Sequence, residues 1–259
     1  MAKSINRPSF WIFCLCALAA FAILISLGNW QVRRLAWKEQ LIADVNSRVA
    51  SQPITAPGPK EWDKVTRSSH VYQPVTVSGH YDHSREVHVW FALGKPQGGT
   101  YAGPGYFILT PFRTAAGWDV IVNRGFVPDP LKEPTSRPDT LVTGELTLTG
   151  LMRFDEPKNW NSPAADKVKN VWIVRQVSEM AAYLGLSKEQ TAPYWVDLTK
   201  GQGVDGLPQG GETRITFTNS HLQYALTWFG LAGVLVLVFG VWLVRTVRAT
   251  PSRAEPESE

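Results

Sequence analysis

The sequence predicts a membrane protein in which two transmembrane helices flank a mainly antiparallel-β extracytoplasmic domain, barrel- or sandwich-like, with minor helix. Three observations predict it. Residues 10–28 and 222–244 are runs of 19 and 23 residues without a formal charge, in a chain of 259. At about 1.5 Å per residue the longer run makes a helix roughly 34 Å long, enough to cross the hydrocarbon core. Between the runs, seven stretches rich in β-branched and aromatic residues are punctuated by Gly, Pro, Asp and Asn, the pattern of short strands and turns.

Taken in order, residues 1–9 form a short tail carrying Lys3 and Arg7, and residues 10–28 form the first span. A cleaved signal peptide competes with this reading, but the apolar core is long and no small-x-small site cleanly precedes Trp30, so a retained signal anchor is expected. The helix should continue over residues 30–50. Strands are expected at 72–81, 86–93, 106–113, 118–126, 141–153, 171–177 and 194–198. The short loop between 106–113 and 118–126 makes that pair a hairpin. The stretch 141–153 is long for one strand, and Gly144 or Gly150 should mark a bulge or bend. A short helix at 178–184 should end at Gly185. Residues 222–244 form the second span and residues 245–259 the second tail, leaving 29–221 as the folded domain.

Two spans put both tails on one side. Lys3 and Arg7 at one end and Arg245, Arg248 and Arg253 at the other mark that side as cytoplasmic, because short loops and tails rich in Lys and Arg stay inside. Only nine residues precede the first span, whereas a mitochondrial precursor carries a long Arg-rich leader. The expectation is a bacterial inner membrane with the domain in the periplasm. The only cysteines, Cys14 and Cys16, lie in the first span, so the domain has no disulfide and no thiol ligand for zinc or copper. Of the net charge of +4, the domain carries +2, from 21 basic and 19 acidic residues. So small an excess argues against nucleic acid as a partner.

No glycine-rich phosphate loop, nucleophile elbow, HExxH or paired-cysteine site occurs, so enzyme activity is not expected. His80, His83 and His88 cluster in GHYDHSREVH and invite a metal, yet no fourth ligand is evident, and exposed hairpin histidines are the better account. The acid-rich residues 154–161 read as a solvated loop rather than a carboxylate site. His221 differs. It opens the second run, with Tyr224, Ala225 and Trp228 at i+3, i+4 and i+7 on the same face. An ionisable ring at a membrane boundary, backed by aromatics, is a candidate ligand for a flat apolar cofactor such as haem. The alternative is an interfacial histidine in an aromatic belt. At the outer end of the first helix, Trp30, Arg33, Arg34 and Trp37 share one broad face. They serve either as an interfacial anchor, contacting membrane lipid, or as aromatic and cationic partners for a haem and its propionates.

The stretches LGNWQVRRLAWKEQLI (27–42), GPGYFILTPF (103–112), VNRGFVP (122–128), LTGLMR (148–153), YWVDL (194–198) and NSHLQYALTWFG (219–230) resemble the Surfeit locus protein 1 family. The match runs in order from the first span to the second; residues 155–168 and 201–211 carry no such motif. The resemblance implies an assembly factor for haem–copper cytochrome c oxidase that helps form the haem a centres of the catalytic subunit. It also implies haem a bound through the second-span histidine, here His221, and possible contact with the haem a synthesis machinery. Roles for Trp30, Arg33 and Arg34 toward haem, with Tyr224 and Trp228 packing beside it, extend that implication. The competing functions are a cofactor-free scaffold holding the oxidase subunit, and a membrane enzyme or copper carrier. The missing catalytic set and the missing Cys- or Met-rich site weigh against the last two.

The topology has a direct check. Alkaline phosphatase inserted in the 128–139 loop should be active, and the same reporter fused after Arg248 inactive; the reverse pattern would place the domain in the cytoplasm.

Overall fold

The computed structural model describes residues 8–248. Lys3, Arg7 and Arg253, three of the residues that bear on orientation, lie outside them. In chain order the elements are helix α1 (Pro8–Val49), strand β1 (Ile54–Thr55), helix α2 (Arg67–His70), then strands β2 (Pro74–Tyr81), β3 (Val87–Leu93), β4 (Gly103–Thr114), β5 (Asp119–Pro128) and β6 (Leu146–Arg153). Helix α3 (Val177–Tyr183), strand β7 (Thr191–Leu198) and helix α4 (His221–Arg248) follow. The described chain divides into a helical unit, residues 8–43 with 216–248, and a β unit, residues 44–215.

In the helical unit, α1 and α4 are each long and apolar enough to cross a membrane. They pack antiparallel: Phe10 stacks on Trp242 with ring centroids 5.6 Å apart, Phe13 lies 5.9 Å from Phe239, and Gln31 meets His221. On α1 the residues Phe10, Cys14, Ala17, Phe21, Leu24, Gly28, Gln31 and Leu35 recur at spacings of four and three, and all are at least partly buried. Their counterparts on α4 are His221, Ala225, Trp228, Ala232, Leu235, Phe239 and Trp242. A 3-4 spacing sustained on both helices is a knobs-into-holes seam, and residues between the seam positions are left mostly exposed. Gly28 belongs to it for a steric reason: a Cβ there would sit 2.5 Å from the Phe229 ring.

The β unit is a closed five-stranded barrel. Neighbours around the ring are β2, β6, β7, β5 and β4, and the β2–β4 pairing through Gly79↔Thr114 and Tyr81↔Phe112 closes it. Most pairs are antiparallel, but β5 and β7 run parallel, as do β1 and β2. β3 extends the sheet beyond β4. Closure leaves no long unpaired edge within the ring. Val77, Phe112, Val120, Val122, Met152, Tyr194 and Val196 fill one core. The alternate residues Leu109, Ile121 and Trp195 point the other way into a second core, covered by α3 through Val177 and Met180, by Leu184 just after it and by Trp172. Because both faces are covered, β4 and β5 are buried almost continuously, as strands enclosed on two sides must be.

The expected hairpin is β4–β5, turning at Gly117 with φ of +86°. The expected short helix is α3, closed by Gly185 at φ +67°. Two expectations are corrected. Residues 171–177 are not a strand: Val171 and Trp172 make only isolated bridges, to Asp166 and Val89. Their apolar character serves packing, since Trp172 is fully buried and Val177 begins α3. The stretch 141–153 forms β6 only from Leu146 onward, because Gly144 bends the chain at φ +94°.

One bulge organises the barrel. Between Ile108↔Gly125 and Leu109↔Asn123 the register skips, leaving Arg124 as the extra residue of β5. Gly125 takes φ of +131°, and a Cβ on it would lie 2.3 Å from the Gln209 carbonyl. That close approach lets Phe126 and Gln209 exchange backbone hydrogen bonds of 2.9 and 2.8 Å. Gly125→Val should therefore destabilise the β unit by more than about 2 kcal/mol, read as the fall in its denaturant midpoint. A midpoint unchanged from the native protein would show that residue 209 is not seated on β5.

Candidate functional site

His221 is the first residue of α4, preceded by Asn219 and Ser220; the Ser220 carbonyl accepts from Tyr224 N–H at 3.2 Å. The half-buried His221 ring places Nδ1 2.8 Å from Gln31 Oε1. An amide oxygen only accepts, so Nδ1 carries the proton and donates. Nε2 is left with its lone pair and no hydrogen bond among the described residues. Two residues earlier, Asn219 Oδ1 is buried without a partner, alone in this respect among the described residues.

The other predicted residues distribute around this pair by helical rotation of about 100° per residue. Trp228 is half-buried at a seam position, and Tyr224 is 53% exposed on the flank next to it. On α1, Gln31 is buried in the seam, whereas Trp30, Arg33 and Arg34 are exposed. In an antiparallel pair, the flank of α1 carrying Arg34 and Trp30 lies on the same side as the flank of α4 carrying Tyr224 and Trp228. Lys38, on that flank of α1, reaches to 5.2 Å from the Phe217 ring. Arg33 points about 180° from the seam, away from His221. The Arg34 guanidinium lies 3.9 Å over the Trp37 ring. Gln31 is the residue that sequence reasoning missed; its signal is a polar side chain at a seam position between Gly28 and Leu35.

The histidine cluster does not assemble. Among the described residues no three His, Cys, Asp or Glu side chains group as metal ligands. His80 is exposed, and His83 Nε2 lies 2.8 Å from the Val142 carbonyl. His88 corrects the expectation of exposed hairpin histidines. It is 3% exposed, with Nε2 3.4 Å from Glu86 Oε2 and Nδ1 against the Asn170 amide. Glu86 is itself buried and also holds the guanidinium groups of Arg124 and Arg137. Burial pushes its carboxyl up, but His88, Arg137 and Arg124 outweigh that and hold it below the usual carboxylate range. In the acid-rich loop, Asp155 Oδ1 accepts from Val177 N–H at the start of α3, and Glu156 pairs with Arg175 at 2.7 Å. Both are structural contacts.

A second centre, also missed, lies in the barrel. Asp197 is 3% exposed; its Oδ1 accepts from Asn123 Nδ2 at 2.8 Å and Trp195 Nε1 at 2.9 Å. Its Oδ2 accepts from Thr213 Oγ1 at 2.8 Å and Arg153 Nη1 at 3.2 Å. Burial pushes the Asp197 carboxyl up, while Arg153, Arg175 and the hydrogen bonds from Asn123 and Thr213 bring it below the usual range. Asp197 and its neighbours Asn123, Arg153, Arg175 and Glu212 line a cavity of about 160 Å³. VNRGFVP, LTGLMR and YWVDL supply Asn123, Arg153, Trp195 and Asp197, so three separate motifs meet at one carboxylate.

A family model described as the SURF1 family matches residues 18–233, which include Gln31, Asn123, Arg153, Asp197 and His221. The chain is 35% identical over 247 residues to Surfeit locus protein 1 of Xenopus tropicalis, covering 92% of this chain and 76% of that protein. To Surfeit locus protein 1 of Homo sapiens it is 34% identical over 251 residues, covering 93% and 78%. To the SURF1-like protein of Drosophila melanogaster it is 32% identical over 256 residues, covering 94% and 79%.

Asp197 and Glu86 give the β unit a signed pH dependence. Their folded pKa values are depressed, so the stability they contribute is fully present above the unfolded carboxylate range, about pH 4, and is lost as pH falls through the folded values. The melting temperature should therefore drop as pH falls below about 4. Asp197→Asn should lower stability at neutral pH by about 3 kcal/mol, because Arg153 loses its counter-charge, and should flatten that acid dependence. A native melting temperature constant down to pH 3 would remove both carboxylates from the account.

Proposed function

The chain belongs to the SURF1 family, and from that premise we propose that it is a membrane-bound, non-enzymatic assembly factor for haem–copper cytochrome c oxidase. In this reading it holds haem a through His221 while the haem a centres of the catalytic subunit form. The spans lie at 10–28 and 222–244 of a bacterial inner membrane, and residues 29–221 face the periplasm. The observation that carries the haem reading is the His221 ring, oriented through Nδ1 and presenting Nε2 unpaired at one end of an apolar helix seam.

The residues present fit such a group. A buried acceptor with no partner, Asn219 Oδ1, sits two residues from His221, and an unpaired buried polar atom costs about 1–3 kcal/mol unless something satisfies it. Trp228 and Tyr224 offer aromatic surface on the flank that also carries Arg34. Haem, when bound, would supply an iron that a neutral imidazole can ligate. The chain's part is to present that imidazole, to cover the macrocycle with apolar side chains, and to pair a guanidinium with propionate, a charge-assisted contact. By helical rotation that guanidinium is Arg34 rather than Arg33. No bond of a substrate needs to be made or broken, so a binding site without a catalytic set suffices.

Protein purified from cells that make haem a should show a Soret band that His221→Ala abolishes or sharply weakens without unfolding the β unit. Arg34→Ala should weaken haem retention more than Arg33→Ala, and neither should alter the ligation spectrum. Deleting the gene should lower the haem content and activity of the haem-a oxidase and leave its polypeptides largely made. A full, unshifted Soret band in the His221→Ala protein would reject the ligand assignment and favour the cofactor-free scaffold.

A further inference from the structure

We infer that Gln31 is the positioning residue of the His221 site, fixing the proton on Nδ1 so that Nε2 alone faces the ligand; the inference rests on the haem reading just given. Gln31 is 8% exposed and lies 190 residues from His221 in sequence, yet its Oε1 is 2.8 Å from the imidazole Nδ1. A buried amide without a hydrogen bond is destabilising, so the contact holds both side chains in one arrangement. Gln31 sits on α1 one turn past Gly28, whose missing Cβ admits the Phe229 ring. His221 sits at the corresponding end of the α4 seam.

The chemistry of the acceptor matters. A histidine has two ring nitrogens, and the hydrogen bond made by one decides which the other can be. In water a neutral histidine prefers the proton on Nε2, the nitrogen that a ligand to iron must leave bare. An oxygen acceptor opposite Nδ1 reverses that preference before any ligand arrives. A carboxylate would do the same but would favour the charged imidazolium, which does not bind iron, and would place a second charge in the seam. A glutamine supplies the oxygen and no charge. This is the outer-sphere partner that ligating histidines generally have, and its loss typically costs 10–100-fold in affinity.

The test uses the full chain in detergent micelles, without haem, labelled with ¹⁵N-histidine. The His221 signals are assigned by their absence in His221→Ala, and spectra are taken at about pH 8, where unperturbed imidazole is neutral. The native protein should show the proton on Nδ1. Gln31→Leu should move His221 toward the Nε2–H form, and Gln31→Glu should keep the proton on Nδ1. Should the leucine variant lose its helical fold by circular dichroism, Gln31→Met, unbranched and of nearly equal volume, takes its place. On adding haem, Gln31→Leu should bind at least about tenfold more weakly than the native protein. Native His221 protonated on Nε2, or a Gln31→Leu spectrum unchanged from the native one, would overturn the inference. So would unchanged haem affinity in Gln31→Leu. Because the tautomer is read without haem, its failure is separate from a failure of the haem reading, which the Soret band of His221→Ala decides.

Discussion

Burying the Asp197 carboxylate obliges four donors to converge on it, and the architecture of the β unit follows from that demand. Asn123 arrives from β5, Arg153 from β6, Trp195 from β7 itself, and Thr213 from the segment after the barrel. Three neighbouring strands of the ring are thereby fixed in register at one level. Two glycines make room. Gly150 has no Cβ to strike Asp197 O and Val196 Cγ1, both within 2.5 Å of where it would be. Gly125 lets the backbone of Gln209 close over β5. An unpaired buried carboxylate is costly enough that a strand slipped by one residue, which exchanges the two faces, is strongly disfavoured.

The helical unit solves a different problem with a narrower set of contacts. Its seam is apolar or small from Phe10 to Gly28 and then turns polar at Gln31 and His221. In a membrane the apolar part gains little from leaving lipid, so close packing, such as the Phe229 ring against Gly28, carries the association. A hydrogen bond at one end of such a seam sets how far one helix can slide along the other. The same bond orients the imidazole, so the register of the helices and the presentation of His221 are one constraint.

Much of this was legible in the sequence, and the limits have physical causes. The long uncharged runs, the GNW-to-WKEQ continuation of α1, the β4–β5 hairpin and the Gly185 stop of α3 depend on local signals, and all are read correctly. The stretch 171–177 misleads because a buried Trp and a β-branched residue look alike whether they line a ladder or plug a core. β1 is two residues long and carries no periodicity at all. His88 reads as exposed because its alternation ignores the extra layer that covers β3 and β4. The Asp197 centre was out of reach for a further reason. Its donors lie 44 to 74 residues away except for Trp195 and Thr213, and only closure of the barrel brings them together. Gln31 was missed because its role depends on a partner 190 residues away on the opposite helix.

The two centres differ in how far their polar groups are already satisfied. In the β unit the buried charges are consumed internally. Both oxygens of Asp197 have two donors, Glu86 is shared by Arg124, Arg137 and His88, and Glu212 accepts from the backbone of Gln97 and Gly98 and from Gln209. A ligand entering there would have to displace protein donors that are already well placed, at a cost of about 1–3 kcal/mol for each group left unpaired. At the helix pair the situation is reversed. Among the described residues His221 Nε2 and Asn219 Oδ1 have no partner, and the flank beside them combines aromatic surface with an exposed guanidinium. The buried charges of the barrel are satisfied within it, whereas the helix pair keeps two polar atoms unpaired among the described residues, at the place where the proposed function puts the ligand.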